Sequence, residues 1–249
     1  MILKDGERLD YVNDDLSLIQ NKEGLTFGTD ALLLAGYCSG KKRLGVELGG
    51  GSGIISMLLL ARKKIEGCIC LEIQPDYAEL ISRNAELNNL GDRLVTVCTD
   101  IREFRSEEEC DLVYSNPPYM KADSGRRNES DKKNIARHEV FGGINDFCLT
   151  AKRLLKYGGS FLVVYRPDRM CDLISALREN SLEPKRITFV QADKNSAPSM
   201  LLLEAKKGGK SGLKLTRPLI IYTDEGHKEY SEDMEFIMRE GVFPPAFDK

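Results

Sequence analysis

Asn116-Pro117-Pro118-Tyr119 is the stretch whose residue types can do chemistry. Two successive prolines end any strand or helix and stiffen the loop. The Asn116 side-chain carbonyl and the Pro117 backbone carbonyl are hydrogen-bond acceptors, and neither is a strong base. They suit a planar –NH2 group, whose lone pair is delocalised into a ring or a carbonyl and attacks poorly. One N–H bond to each carbonyl pulls the nitrogen toward tetrahedral geometry and aims its lone pair at an electrophile. Such catalysis is positioning and electrostatics rather than proton removal. Pro118 completes the turn. Tyr119 offers a flat face on which a base can stack, a contact worth roughly 1–3 kcal/mol.

The electrophile needs a holder, and one stretch has the pattern for it. Residues 44–56 read LGVELGGGSGIIS. An apolar run ends in Glu47, glycines follow at 49, 51 and 53 with an extra one at 50, and a helical apolar pattern begins at Ile54. Strand, glycine turn and helix start make a nucleotide-binding element, because glycine accepts positive φ and lets a ligand approach the backbone. The dinucleotide fingerprint fails: its third glycine falls on Ile54 or Ile55. The phosphate loop fails too, since Gly209-Lys210-Ser211 has Glu204 where the first glycine must stand. The remaining pattern, acid-x-Gly-x-Gly-x-Gly, resembles motif I of the class I S-adenosylmethionine-dependent methyltransferases. That cofactor has no phosphates, so anion binding at the helix end is not required. The resemblance gives Glu47 the cofactor's ammonium, directly or through water. Read alone, the turn is also compatible with a plain strand–helix connection.

Other residues fall into place around that turn. Glu72 ends the run CICLEI, near the spacing at which an acid after such a glycine turn meets a ribose. Its carboxylate can accept from both ribose hydroxyls, and Ile73 follows it. Asp100, with Ile101 next, either accepts from the adenine amine of the cofactor or only closes a turn. Thr29 or Asp30 is a good N-cap for the helix that precedes motif I, a helix start expected over the cofactor's methionine end.

The elements must bring these pieces together. Strands are expected at Leu44–Leu48, Cys68–Ile73, Leu94–Cys98, Asp111–Ser115 and Ser160–Arg166, alternating with helices at Gly53–Lys63, Pro75–Asn89, Asn145–Tyr157 and Arg169–Asn180. Lys185–Gln191 and Met200–Ala205 read as an antiparallel edge hairpin. The fold class is α/β: a doubly wound, mostly parallel seven-stranded Rossmann-like sheet with short terminal additions. Ligands bind such sheets beyond the carboxyl ends of the strands, at the switch in strand order. The glycine turn and the Asn-Pro-Pro-Tyr loop therefore face each other. Residues 1–40 are expected to be a hairpin and helix packed on the core, 41–207 the catalytic domain, and 208–249 a C-terminal extension with one further strand at 218–222 and an acidic helix capped by Ser231.

Composition narrows the setting. The chain has 249 residues, 41% of them hydrophobic, enough for one α/β domain. No apolar run reaches transmembrane length, and the start MILKDGERLD is charged where a signal peptide would be apolar. Seven scattered cysteines, no CxxC and two histidines argue for a reduced cytoplasmic location and against a metal site. The net charge of −3 does not advertise nucleic acid. Basic residues do cluster, however, at 121–137 and 206–217, against an acidic tail. The polar loop at 121–134 reads as a substrate-contacting lid. His138 reads as structural or as a substrate contact, because the amine needs no general base.

A strand ending in Asn-Pro-Pro-Tyr after motif I is similar to motif IV of amino-group methyltransferases acting on adenine, guanine or glutamine. Across most of its length the chain resembles bacterial small-domain methyltransferases related to tRNA (adenine-N6)-methyltransferases. Residues 27–30, 47–53, 116–119, 137–139, 165–169 and 218–222 carry that likeness, with Glu47 where many relatives have Asp. The resemblance implies methyl transfer from S-adenosylmethionine to an adenine amine in the anticodon loop of a valine tRNA. The base would flip out of single-stranded RNA, with Lys121, Arg126, Arg127, Arg137, Lys206, Lys207 and Lys210 on phosphates. Glutamine methylation of a release factor presents the same amide geometry, although those enzymes carry a longer helical domain ahead of motif I. Guanine-N2 methylation of ribosomal RNA is also compatible, with Tyr119 leaning toward adenine. A non-catalytic RNA- or cofactor-binding module is the alternative of a different class, and an intact Asn116 with intact glycines speaks against it.

Overall fold

A computed structural model describes residues 3–13, 16–22, 28–117 and 142–247. The chain opens with a hairpin, β1 (Glu7–Asn13) and β2 (Leu16–Asn21), followed by α1 (Thr29–Tyr37). Alternating elements come next: β3 (Lys42–Leu48), α2 (Ile54–Ala61), β4 (Ile65–Glu72), α3 (Pro75–Leu87), β5 (Leu94–Cys98), β6 (Cys110–Ser115), α4 (Ile144–Leu154), β7 (Leu155–Tyr165) and α5 (Met170–Glu179). The last part holds β8 (Leu182–Gln191), β9 (Met200–Lys207), the short β10 (Lys214–Leu215) and β11 (Leu219–Ile220), and α6 (Glu232–Glu240).

The main sheet runs β10-β8-β9-β7-β6-β3-β4-β5, with β11 also on β8. Among the described residues its pairings are parallel except β7 with β9 and β8 with β9. The apolar runs of β3 and β6 suit strands covered on both faces. One apolar cluster gathers α1, α2, α3 and α6 on one face, and a second gathers α4 and α5 on the other. The doubly wound α/β expectation holds. The sheet is wider than seven strands because β10 and β11, from the C-terminal extension, add to its edge.

Three local expectations are corrected. Neither Thr29 nor Asp30 is the N-cap of α1: both already lie in the helix, and the N-cap is Gly28, in extended backbone and without a side-chain cap bond. The strand expected from Ser160 begins at Leu155, with an irregular register between Cys110 and Leu112 that takes in Gly158 at φ 77°. The strand expected from Lys185 begins at Leu182, and a register shift at Pro184 accommodates the residue that lacks an N–H. Ser231 caps α6 as expected, its hydroxyl accepting from the Met234 N–H at 3.2 Å.

Buried polar side chains lock the parts that matter for the site. Asn84 accepts from Ile19 N–H at 2.7 Å and donates to the Ile19 and Ser52 carbonyls at 3.1 and 3.2 Å, tying hairpin, α3 and glycine turn together. The Lys64 ammonium donates to the Ala35, Gly36 and Cys38 carbonyls, which α1 leaves open at its end. Arg186 donates to the Tyr37 carbonyl at 2.7 Å and lies 3.9 Å from that ring's centroid. These bonds fix α1 and hence Asp30 in its first turn.

Candidate active site

From β3 the chain winds to β4 and β5 on one side, while β6 and β7 lie on the other. The strand order therefore switches between β3 and β6, where a crevice opens at the carboxyl ends. The Ser115 hydroxyl donates to the Leu48 carbonyl at 2.7 Å and pins the two strand ends together. The glycine turn leaves β3 here, with the Gly49 and Gly50 N–H groups both donating to the Leu71 carbonyl at 2.9 and 3.0 Å.

The glycines have different jobs. Gly49, Gly51 and Gly53 have φ of 74°, 55° and 79°, and Gly53 caps α2. A Cβ on Gly49 or Gly51 would meet no atom of the described residues within 4 Å, so these two border open space. Gly50 is required by packing instead: a Cβ there would stand 2.5 Å from Cys70 Sγ and 2.8 Å from Ile81 Cδ1.

Glu72 ends β4 and is 4% exposed. Its Oε2 accepts from the Gly51 N–H and its Oε1 from the Gln74 N–H, both at 2.9 Å. Each oxygen keeps a lone pair for a ribose hydroxyl. Ile73 is half-buried beside it.

Glu47 sits in a buried polar nest. It is 1% exposed and its Oε2 faces inward, accepting from the Ser56 N–H at 3.2 Å, the Ser56 hydroxyl and the Cys70 thiol at 3.3 Å. The Tyr114 hydroxyl adds to the nest at 2.6 Å from Ser56 Oγ. Burial lifts the Glu47 carboxyl to about 7, against the pull of the Ser56 and Cys70 bonds. Its Oε2 is thus tied to the helix and strand beneath the turn. The signal for it lay in Ser56, a polar residue inside an apolar helical run.

Asp100 is also committed. Its carboxylate accepts from Arg102 Nε at 3.0 and 2.9 Å, Nη2 at 2.5 Å and the backbone N–H at 2.8 Å. The Arg102 bonds hold it below the usual carboxylate range. The bond from the Arg102 backbone N–H closes the turn here. Ile101 is buried, its carbonyl braced by Thr150 and Arg153 at 3.1 and 2.9 Å.

Asn116 stands at the end of β6, half-buried, with Pro117 buried beyond it. Its Nδ2 donates to Asp30 Oδ2 at 2.7 Å, a contact spanning 86 residues that the sequence pattern did not disclose. Its Oδ1 is buried and has no hydrogen-bond partner among the described residues. An orphaned buried carbonyl oxygen is costly unless a ligand satisfies it. Thr29 opens α1 beside this pair.

Not every expected residue joins the crevice. Pro118, Tyr119, Lys121, Arg126, Arg127, Arg137 and His138 lie outside the described residues. Lys206, Lys207 and Lys210 are not brought to the site. β9 runs antiparallel to β7, with Lys206 opposite Ser160 and Leu201 opposite Tyr165, so Lys206 and Lys207 sit at the amino ends of the parallel strands, and the Lys210 carbonyl accepts from Lys185 Nζ near the start of β8. Lys207 there donates to the Leu155 carbonyl and lies 3.7 Å from Glu109. Among the described residues no group of three or more His, Cys, Asp or Glu could hold a metal, and no helix is long and apolar enough to cross a membrane.

A glycine turn at the switch point, an acid bonded to it and an orphan amide oxygen at the end of the neighbouring strand make a candidate ligand site. Comparison with known proteins gives its class. Residues 21–181 match the model of the methyltransferase small domain family. The chain is 25% identical over 215 residues to a tRNA1(Val) (adenine(37)-N6)-methyltransferase of a Flavobacteriaceae bacterium (strain 3519-10), covering 86% of this chain and 89% of the relative. It is 30% identical over 180 residues to the protein of the same name from Phocaeicola vulgatus, covering 72% and 76%. A predicted O-methyltransferase from Agrobacterium tumefaciens shares the fold, with a TM-score of 0.69, 22% identity and coverage of 86% and 98%. The chain belongs to the methyltransferase small domain family and is an S-adenosylmethionine-dependent methyltransferase.

The residues present fit that cofactor. Open space at Gly49 and Gly51 leaves room for it against the backbone, and the Glu72 carboxylate is bonded to the turn at Gly51.

Proposed function

We propose that this methyltransferase acts on the exocyclic amine of an adenine in the anticodon loop of a tRNA, a valine tRNA in particular. The observation that carries the amine reading is the buried Asn116 Oδ1, without a partner among the described residues, at the carboxyl end of β6 beside the glycine turn. The names of the relatives supply the adenine and the tRNA.

In this reading Asn116 Oδ1 and the Pro117 carbonyl each accept one N–H of the amine, and the nitrogen lone pair is left facing the glycine turn. S-adenosylmethionine supplies a methyl group on a cationic sulfur, which departs as a neutral thioether. One C–S bond breaks, one C–N bond forms, and the surplus N–H proton leaves to water. No general base is needed, because the nitrogen becomes acidic once it carries the methyl. Glu72 holds the ribose and Tyr119 stacks on the flipped base. Lys121, Arg126, Arg127 and Arg137, which follow the catalytic loop in sequence, hold phosphates, and the enzyme works in the reducing cytoplasm where tRNA is modified.

The test is methyl transfer from labelled S-adenosylmethionine to total tRNA from a strain lacking the gene, followed by digestion to nucleosides. Label is expected in N6-methyladenosine. Asn116→Ala should lower the rate by roughly 10²–10³-fold, the loss typical of one preorganised hydrogen-bonding group aimed at the transition state. Label in glutamine of a protein, or in guanine of ribosomal RNA, would keep the amine chemistry and overturn the substrate.

A further inference from the structure

We propose that Asp30 is a positioning residue for the methyl-transfer step, fixing the side-chain amide of Asn116 in the one orientation that presents Oδ1 to the substrate amine. The inference rests on the amine-directed reading and adds a residue to it. An asparagine amide has two nearly isosteric ends, one a donor and one an acceptor. Only the acceptor end can hold an –NH2 group, so a flipped Asn116 would be inert toward the substrate. Nothing in the loop sequence itself distinguishes the two states. A carboxylate does, because it accepts only: Asp30 Oδ2 accepts from the Nδ2–H at 2.7 Å and would repel Oδ1 in the flipped state. Such a bond to an ionised acceptor is roughly twice as strong as a neutral one.

The surroundings hold Asp30 to that task. Its second oxygen accepts from the Ala31 N–H at 2.9 Å, which fixes the rotamer. A Cβ at position 28 would lie 2.7 Å from Asp30 Oδ1, so the glycine there makes room for the carboxylate. At its other end α1 is anchored by Lys64 and Arg186. The orphaned Asn116 Oδ1 is what remains once Nδ2 is committed. An acid in the first turn also favours the helix dipole, but that role needs no contact with Asn116 and gives no preference for one amide orientation.

The test is a swap of donor and acceptor across the pair. Four variants are compared with wild type: Asp30→Ala, Asp30→Asn, Asn116→Asp and the double variant Asp30→Asn with Asn116→Asp. Three quantities are measured on each: single-turnover methyl transfer to saturating undermethylated tRNA, the Kd for S-adenosylmethionine by calorimetry, and the thermal midpoint. Asp30→Ala is expected to slow transfer by roughly 10–100-fold, the usual loss when a ligand loses its orienting partner. Its cofactor Kd should stay within about threefold, as expected for an interaction expressed only in the chemical step. Asp30→Asn keeps an acceptor and should recover part of the rate. Asn116→Asp alone sets two carboxylates against each other. The double variant restores a donor facing an acceptor, leaving one oxygen of the introduced carboxylate for the amine, and should transfer at least about tenfold faster than Asn116→Asp alone. A double variant no faster than Asn116→Asp would overturn the proposal. So would an Asp30→Ala enzyme that weakens cofactor binding while transferring normally. The wild-type lane reports separately on the reading underneath: methyl found in protein glutamine would move the substrate, and the variants would then be scored on that amide.

Discussion

Glu47 is a carboxylic acid buried among polar partners. Its carboxyl is lifted to about 7 by burial, while the unfolded chain holds an ordinary glutamate near 4.5. The folded state therefore binds a proton over that interval and the unfolded state does not. The stability tied to this proton is fully present below about 4.5 and is lost as pH rises through about 7, by about 3 kcal/mol in order of magnitude. Glu47→Gln should flatten this dependence. Urea unfolding at pH 5 and pH 8 should show wild type losing more stability than the variant, whereas parallel losses would refute the buried, protonated carboxyl. The same variant should bind S-adenosylmethionine nearly as well as wild type if the acid acts from beneath the turn, because the Ser56 and Cys70 donors then face a Gln carbonyl instead.

Among the elements, the glycine turn separates two demands that its sequence presents as one run. Gly50 touches the core and Gly51 touches the crevice. Gly50→Ala places a methyl against Cys70 and Ile81 and should cost roughly 1–3 kcal/mol of stability by overpacking. Gly51→Ala meets no described atom but holds φ at 55°, so strain of roughly 1–2 kcal/mol is expected for the left-handed region. Its methyl also projects where the cofactor would lie. Thermal midpoint and cofactor Kd measured together should separate them: the larger loss of affinity per degree of midpoint belongs to Gly51→Ala. Equal ratios for the two would show that the turn moves as one piece. The alternating glycines, the following apolar helix and the acid at the next strand end were all legible in sequence, because each is a local demand of backbone geometry. The division of labour among the glycines was not, because it depends on β4 and α3 packing from below.

In the molecule as a whole, the C-terminal extension is part of the catalytic body. β10 and β11 widen the sheet, and α6 with the residues after it packs on α1. Phe243 meets the Tyr37 ring edge-on at 5.2 Å and Phe247 meets Phe243 at 5.2 Å. Arg217 lies 4.6 Å from the centroid of the fully buried Phe247 ring. Phe247→Ala should lower stability by about 3 kcal/mol, the low end for a buried phenylalanine, since the nearby chain can close on the gap. Thermal unfolding would measure it, and an unchanged midpoint would show that the end of the chain is not docked in solution.

The strand–turn–helix pattern, the α/β class, the glycine turn and the end of β6 before Asn116 were all set by local sequence. Each follows from forces acting within a few residues: positive φ that only glycine tolerates, prolines that end a strand, apolar runs that must be covered. Which groups meet was settled by the folded chain. Asp30 finds Asn116 across 86 positions because packing brings the first turn of α1 to the end of β6. Glu47 turns inward because Ser56, Cys70 and Tyr114 arrive from three other elements. Lys206 and Lys207 fall at the far end of the sheet because β9 runs antiparallel to β7. Strand direction, register and burial are cooperative properties of the whole packed chain, so the partners of a side chain are fixed only when its distant neighbours are.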